Sequence, residues 1–280
     1  CLSDMNMHPY LGKLMLMGTL FRCVDPVLTV AAALGYRSPF YCPMGKEKEA
    51  NEAKARLAGD SNSDHVALVR AFDTWRSGGG ARFCHEYFLS EKCLQFISKL
   101  RNDVADHLKS SKLAPPAHQQ QNTHGTILRA VLVAGLYPRL AVNKGQKRFE
   151  TFEGHSAIMH PGSVNSFKRS DSWVWVVYYD LMKTSDLWLY DTSVVHPLLV
   201  LLFSRRLTEV GHSPGHVHLS IDGKFVVAVS DKVAHAVLHL HDRAQQLLQH
   251  ALGKPHALEL AEGIEALTAL LDAAEQAQDR

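Results

Sequence analysis

The hydrophobic pattern of this chain changes period near Arg139, and that switch constrains the fold more than any other feature. Before it, apolar residues recur at helical spacing; after it, short β-branched and aromatic runs alternate with turn residues. Leu11, Leu14, Met15 and Gly18 mark the apolar face of a first helix. Asp25-Pro26 supplies an N-cap and a first-turn proline for a second helix through Leu34, and Ser38-Pro39 interrupts the pattern. Lys46 to Ala58 is a charged, alanine-rich helix. Asn62-Ser63-Asp64 caps the next one, whose stripe of Leu68, Phe72 and Trp75 stops at Ser77-Gly78-Gly79-Gly80. A last helix of this group carries Leu94, Ile97, Leu100, Val104 and Leu108.

Ala114 to Asn122, with Pro115-Pro116 and three glutamines, has the composition of a linker. One more helix (Ile127, Val131, Leu132, Leu136) precedes the strands. Trp173 to Tyr179 and Leu187 to Tyr190 are runs suited to a sheet, and Asp222-Gly223 is a hairpin turn between apolar segments. Five or six short strands at this spacing suggest a small closed barrel of OB type. Alternation gives most of Trp173, Trp175, Tyr178 and Tyr179 to the core. Val233, Val237, Leu240, Ala244, Leu247 and Leu248 share a face of a closing helix that ends at Gly253-Lys254-Pro255, and Ala257 to Gln278 forms a final one. The expected chain is therefore α+β. A helical bundle occupies 1–113, a linker 114–122, the OB-like domain 123–230 and a helical extension 231–280.

A formal charge of +2 names no partner by itself, although balanced totals can hide a local basic stripe. Five cysteines, Cys1, Cys23, Cys42, Cys84 and Cys93, form no C-x-x-C pair and read as reduced core thiols of an intracellular protein. The apolar run from Val194 to Phe203 is too short to span a bilayer and contains His196 and Pro197. Opening at Cys1 rather than at Met reads as a cut inside a longer protein.

Several stretches, in order, resemble the C-terminal region of DEAH/RHA-type RNA helicases. They are Leu11-Gly12-Lys13-Leu14-Met15, Cys23-Val24-Asp25-Pro26-Val27-Leu28, Ser38-Pro39-Phe40 and Ser63-Asp64-His65-Val66-Ala67-Leu68 in the first half. In the second half come Ala134-Gly135-Leu136-Tyr137-Pro138, His160-Pro161-Gly162-Ser163-Val164-Asn165, Lys183-Thr184-Ser185 and Tyr190-Asp191. Met44 to Ala50 leans toward the branch similar to G-quadruplex-resolving helicases. The resemblance implies a helical helicase-associated (ratchet) domain followed by an OB-fold, both packed against RecA-like motor domains in cis. It further implies a clamp on single-stranded RNA, or DNA or a quadruplex, for ATP-driven 3′–5′ unwinding in the nucleus or cytoplasm. ATP and Mg²⁺ belong to the motor domains. This chain has no G-x-x-x-x-G-K-[ST] loop and no D-E-x-H box, and is expected to bind no cofactor and to hydrolyse nothing alone. Two departures stand out: Ser204-Arg205-Arg206 where relatives carry two glycines after a Leu-Leu-Phe strand, and Arg101-Asn102-Asp103 for an Arg-x-Gln.

The candidate nucleic-acid contacts follow from chemistry that a single strand requires, cations along phosphates and polar groups near bases. Lys144, Lys147, Arg148, Lys168 and Arg169 supply the cations, and His160, Ser163 and Asn165 lie on the turn between them. Ser63 and His65 open a helix whose first N–H groups also suit a phosphate. His212, His216 and His218 lack the carboxylate or thiolate that would complete a metal site, and no catalytic residue is expected. Two other functions remain open: a stand-alone OB-type RNA-binding module, and a docking platform for an activator protein.

Overall fold

The computed structural model describes residues 8–110, 125–144, 147–166 and 173–253, together with Ala269. Its first part is helical: α1 (Pro9–Leu20), α2 (Val24–Tyr36), α3 (Glu47–Ala58), α4 (Asp64–Thr74), α5 (Gly80–Glu86) and α6 (Glu91–Ser110). The helical spacing is realised as expected, with Leu11, Leu14 and Met15 buried on α1 and Leu94, Ile97, Val104 and Leu108 buried on α6. Asp25 corrects one expectation. Helix α2 begins at Val24, so Asp25 lies inside the first turn, and its carboxylate accepts from Arg101 Nη2 at 2.6 Å. Arg101 also donates to the Asp25 carbonyl and the Thr29 hydroxyl and lies 4.6 Å from the Phe72 ring, so α6 is stitched to α2 through one buried guanidinium. The glycine run after α4 forms a π turn over Trp75–Gly79, and Gly78 takes φ 104 there, a conformation a side chain would resist.

Helix α7 (Thr126–Leu136) leads into five strands, β1 (Leu140–Lys144), β2 (Phe149–Thr151), β3 (Ser156–Met159), β4 (Trp173–Lys183) and β5 (Leu187–Val195). They close as a barrel in the order β1-β2-β3-β5-β4. Only the β3–β5 pairing is parallel; the other neighbours run antiparallel. The barrel interior is filled by Ala141, Phe149, Ala157, Met159, Val176, Tyr178 and Leu189. Alternation sends Trp175 and Val177 outward into the helical core, as the period of 2 requires.

The barrel is complete with β5, which differs from the expectation that the Asp222-Gly223 hairpin belongs to it. After β5 the chain forms α8 (Pro197–Phe203), and then β6 (Leu207–Ser213), β7 (His216–Ile221) and β8 (Phe225–Ser230) make a separate antiparallel sheet. Leu201-Leu202-Phe203 is thus helix rather than strand, because Pro197 sits in the first turn and the His196 ring accepts from Leu198 N at 3.1 Å. The hairpin itself forms as expected, with Asp222 at φ 50 and Gly223 at φ 71. Helix α9 (Asp231–Gly253) buries Ala234, Val237, His241 and Ala244, whereas Val233 is exposed. The 114–122 linker and all of the 257–278 helix except Ala269 lie outside the described residues.

The main core is continuous from helices to sheets. Leu14 and Val27, Val131 and Leu132 of α7, Trp175 and Phe225 all belong to one buried cluster. Helix α7 is buried on every side except at Arg129, which explains why it is apolar all round. Its contact with α1 is close enough that a Cβ on Gly135 would stand 2.7 Å from the Leu14 Cα. Gly135→Ala is therefore expected to lower the unfolding free energy by about 1–3 kcal/mol, the usual effect of overpacking, as measured by urea denaturation. An unchanged midpoint would show that α1 and α7 separate freely.

Candidate nucleic-acid interface

The helical part and the barrel meet along a polar seam, and the sequence of α4 explains why. Ser63 caps the helix, its Oγ accepting from Val66 N at 3.0 Å, as Asn62-Ser63-Asp64 predicts. The cap does not face solvent, because Ser63 and Ser193 of β5 form a backbone bridge and their hydroxyls lie 2.5 Å apart. Asp64, next along, is buried. Its carboxylate receives Lys54 Nζ at 2.7 Å, Ser163 Oγ at 2.7 Å, Thr192 N at 2.9 Å and Val164 N at 3.0 Å. Burial opposes ionisation of Asp64, but Lys54 and these donors outweigh it and hold the carboxyl below its ordinary value. Lys54 completes the link by donating to the Gly162 carbonyl at 3.0 Å.

Four of the sequence-predicted residues are gathered here, in the interior of the seam. Ser63 and His65 sit at the start of α4, and Ser163 and Asn165 come from the turn after β3. His65 Nδ1 lies 2.7 Å from Ser193 Oγ, while its Nε2 has no partner. Burial lowers the His65 pKa to about 4, so the ring is neutral. Asn165 donates to the Thr192 hydroxyl at 2.9 Å and leaves its own carbonyl oxygen unpaired. At 5% exposure Ser163 and Asn165 present no side-chain surface to a ligand, so in this arrangement they position the turn.

The remaining predicted residues fall in two places. His160 is half-buried at the edge of the seam, stacked on Tyr190 at 4.2 Å and edge-on to Trp188 at 5.9 Å. Lys147 and Arg148 are exposed between β1 and β2, and Arg148 reaches Ser156 Oγ at 2.9 Å and Asp186 at 3.2 Å. The Lys144 side chain, Lys168 and Arg169 lie outside the described residues.

Two adjoining clefts of about 360 and 280 Å³ open along the seam. Phe40, Lys54, Tyr190 and Asp191 line both. Aromatic rings continue from the clefts across the helical surface: Tyr41 packs on Phe88 at 6.2 Å, and exposed Tyr36 on exposed Phe96 at 4.3 Å. Cations are interleaved with them, Arg37 lying 5.3 Å from the Tyr36 ring and Lys54 5.2 Å from that of Phe40. Tyr179 is half-buried, packing against the core and also lining the larger cleft. Sequence reasoning missed Lys54, Tyr36 and Tyr41, which carry no local pattern. Phe40, in Ser38-Pro39-Phe40, and Tyr190-Asp191 stood only as parts of the family resemblance. Ring faces alternating with cations are what a single strand needs, bases on the rings and phosphates on the charges. Among the described residues no cluster of His, Cys, Asp or Glu is arranged to hold a metal ion, and no helix is long and apolar enough to cross a membrane. Of the cysteines expected in the core, Cys23, Cys84 and Cys93 are buried, whereas Cys42 is exposed, and these four are thiols rather than disulfides.

Comparison with known proteins agrees with both halves. A family model described as helicase associated domain (HA2), ratchet-like, matches residues 8–68, and one described as oligonucleotide/oligosaccharide-binding (OB)-fold matches residues 128–207. The chain is 34% identical to the human ATP-dependent DNA/RNA helicase DHX36 over 92% of its own length and 27% of that protein. It is 32% identical to the Arabidopsis thaliana DExH-box ATP-dependent RNA helicase DExH1, over 97% of this chain and 28% of the relative. For the mouse putative ATP-dependent RNA helicase DHX57 the figures are 29%, 91% and 22%. The chain thus spans about a quarter of the length of these curated relatives.

Removing one partner of the buried pair leaves the other uncompensated, so Asp64→Asn is expected to cost about 3–5 kcal/mol of stability by urea denaturation. The advantage of wild type over this variant is present above the ordinary carboxyl value of 3.8 and shrinks as pH falls below it, since the folded Asp64 resists protonation. His65 acts in a different window. Unfolded imidazole takes a proton below 6.5 and the folded ring only near 4, so the stability difference between wild type and His65→Gln narrows as pH falls between those values. A pH-independent difference for either variant would show that the named group is not the one titrating.

Proposed function

This chain belongs with the C-terminal, helicase-associated and OB-fold region of DEAH/RHA-type helicases, and from that premise we propose that it holds a single strand of nucleic acid for a motor. The observation that carries the reading is the aromatic and cationic band at the seam, where Phe40, Tyr41 and Tyr190 line clefts beside Arg37 and Lys54. Base–ring stacking tolerates any sequence, which suits a clamp that must let a strand slide. Exposed Lys147 and Arg148 extend the cationic path along the barrel, and Lys168 and Arg169, which follow the turn in sequence, lie outside the described residues. RecA-like domains in cis would hydrolyse ATP and draw the strand past the clamp in the 3′–5′ sense, with the helical part as the ratchet wall. The substrate is single-stranded RNA; DNA and quadruplex-forming strands are the alternatives that the DNA/RNA helicase relatives suggest.

The sequence holds no phosphate loop and no D-E-x-H carboxylates, so the ATP chemistry falls to the motor domains. A second reading rests on the β6–β8 sheet, which exposes Val210 and Val226 and would serve as a platform for an activator protein. Pull-down after nuclease treatment separates the two.

The direct test is fluorescence anisotropy of a labelled single-stranded RNA against this chain over a salt series. Binding is expected to weaken with a log–log slope of about −0.7 per phosphate contact, or roughly −3 for four or five contacts. Replacing Lys147, Arg148, Lys168 and Arg169 together by Ala should flatten that slope. Tyr41→Ala should weaken binding by about 1–3 kcal/mol at every salt concentration. Salt-independent or absent binding by the wild-type chain would remove the clamp from consideration and leave the platform reading.

A further inference from the structure

The larger cleft contains a carboxylate that a phosphate-holding surface does not need. Asp191 lines both clefts, beside Tyr190 on β5 and across from Phe40. It occupies the left-handed region at φ 49, a conformation uncommon for a residue with a side chain. Among the described residues nothing donates a hydrogen bond to its carboxylate, in contrast to Asp64 nearby, which has Lys54 and three further partners. Asp64 and Asp180 are the other acids of the larger cleft's lining.

We infer that this cleft reads a guanine base, with the Asp191 carboxylate accepting the N1–H and N2–H of its Watson–Crick edge. The inference rests on the strand-holding reading and adds to it a preference at one nucleotide. Charge decides which part of a strand faces Asp191. In the larger cleft Arg37 and Lys54 face Asp64, Asp180 and Asp191, and with Lys54 held on Asp64 the lining keeps one excess negative charge, so phosphate is disfavoured beside Asp191 itself and left to Arg37 at the surface. A base edge rich in N–H donors is attracted instead. Of the four bases, guanine alone offers two adjacent donors with no lone pair between them, the pattern a carboxylate accepts in parallel. Adenine and cytosine set a ring-nitrogen lone pair beside the amine, and uracil sets a carbonyl on each side of its single N–H. Lys54 has three N–H donors and uses two, on Asp64 and the Gly162 carbonyl, which leaves one in the same cleft for the guanine O6. The Phe40 and Tyr190 rings supply apolar walls for the base. Desolvation pushes the Asp191 carboxyl up to about 6 against the opposing pull of Lys54, with smaller help from Asp64 and Asp180, the state of an acid short of donors that an arriving base would supply.

The test is competition anisotropy with short oligouridine strands that carry one guanosine, inosine, adenosine or no substitution. Inosine keeps N1–H and lacks only the 2-amino group. Wild type is expected to prefer the guanosine strand by about tenfold over the inosine and adenosine strands, within the range of one bidentate contact. Asp191→Asn should abolish that preference, read as the ratio of guanosine-strand to inosine-strand affinity whatever its affinity for plain oligouridine, and its thermal midpoint shows whether it is folded. Asp180→Asn, whose carboxylate is exposed, serves as the second variant and should keep the preference. Equal wild-type affinity for guanosine and inosine strands overturns the inference and leaves the clamp standing. So does a guanosine preference that survives in folded Asp191→Asn. Failure of every strand to bind overturns both readings.

Discussion

The buried ion pair of Lys54 and Asp64 is the constraint on which the arrangement of this molecule depends. Desolvating two charges costs several kcal/mol each, and attraction alone rarely recovers it. Here the carboxylate also accepts from Ser163, Val164 and Thr192, which come from two separate stretches of the barrel, while the lysine comes from α3 and the aspartate from α4. The pair is satisfied only when helices and barrel are docked in one relative position. A hydrophobic seam of equal area would be stable in several registers; this one is specific because any slip leaves a buried charge without partners.

The same pair shapes the neighbouring clefts. Lys54 is held against Asp64 and the Gly162 carbonyl, and from there its ammonium lies near the Phe40 ring. The polar side chains that sequence places on the turn, Ser163 and Asn165, are turned inward to serve that bonding. What faces outward is mostly aromatic, with His160 and Tyr190 stacked at the edge. The surface offered to a ligand is therefore a consequence of how the interior is satisfied.

Much of the fold was legible in the sequence, for physical reasons that can be named. Helical spacing in α1 and α6 and alternation in β4 report burial directly, since each depends on neighbours along the chain. The Ser63 cap and the Asp222-Gly223 turn were readable because both are local chemistry. Barrel closure was less so. Nothing in Leu207 to Ser230 distinguishes strands of the barrel from strands of a second sheet, because that choice is made by α8, which a strand-like apolar run concealed until Pro197 and His196 were seen to start a helix. For the site, the motifs flagged the correct neighbourhoods and misjudged directions. Ser163 and His65 look like surface groups until residues distant in the chain, Asp64 and Thr192 for the one and Ser193 for the other, are brought beside them. Lys54 and Tyr41 carry no pattern at all, since their setting is created wholly by tertiary packing.

The continuity of the core through α7 has a mechanical meaning. With Gly135 letting α7 lie against Leu14 of α1 and its other sides packed on the barrel wall, the two halves share one dense interior. Such an interior is stiff, so a pull applied to one half is delivered to the other with little give. Helices and barrel then recoil as one body, and the gap between them keeps its width under load, as a fixed gauge does.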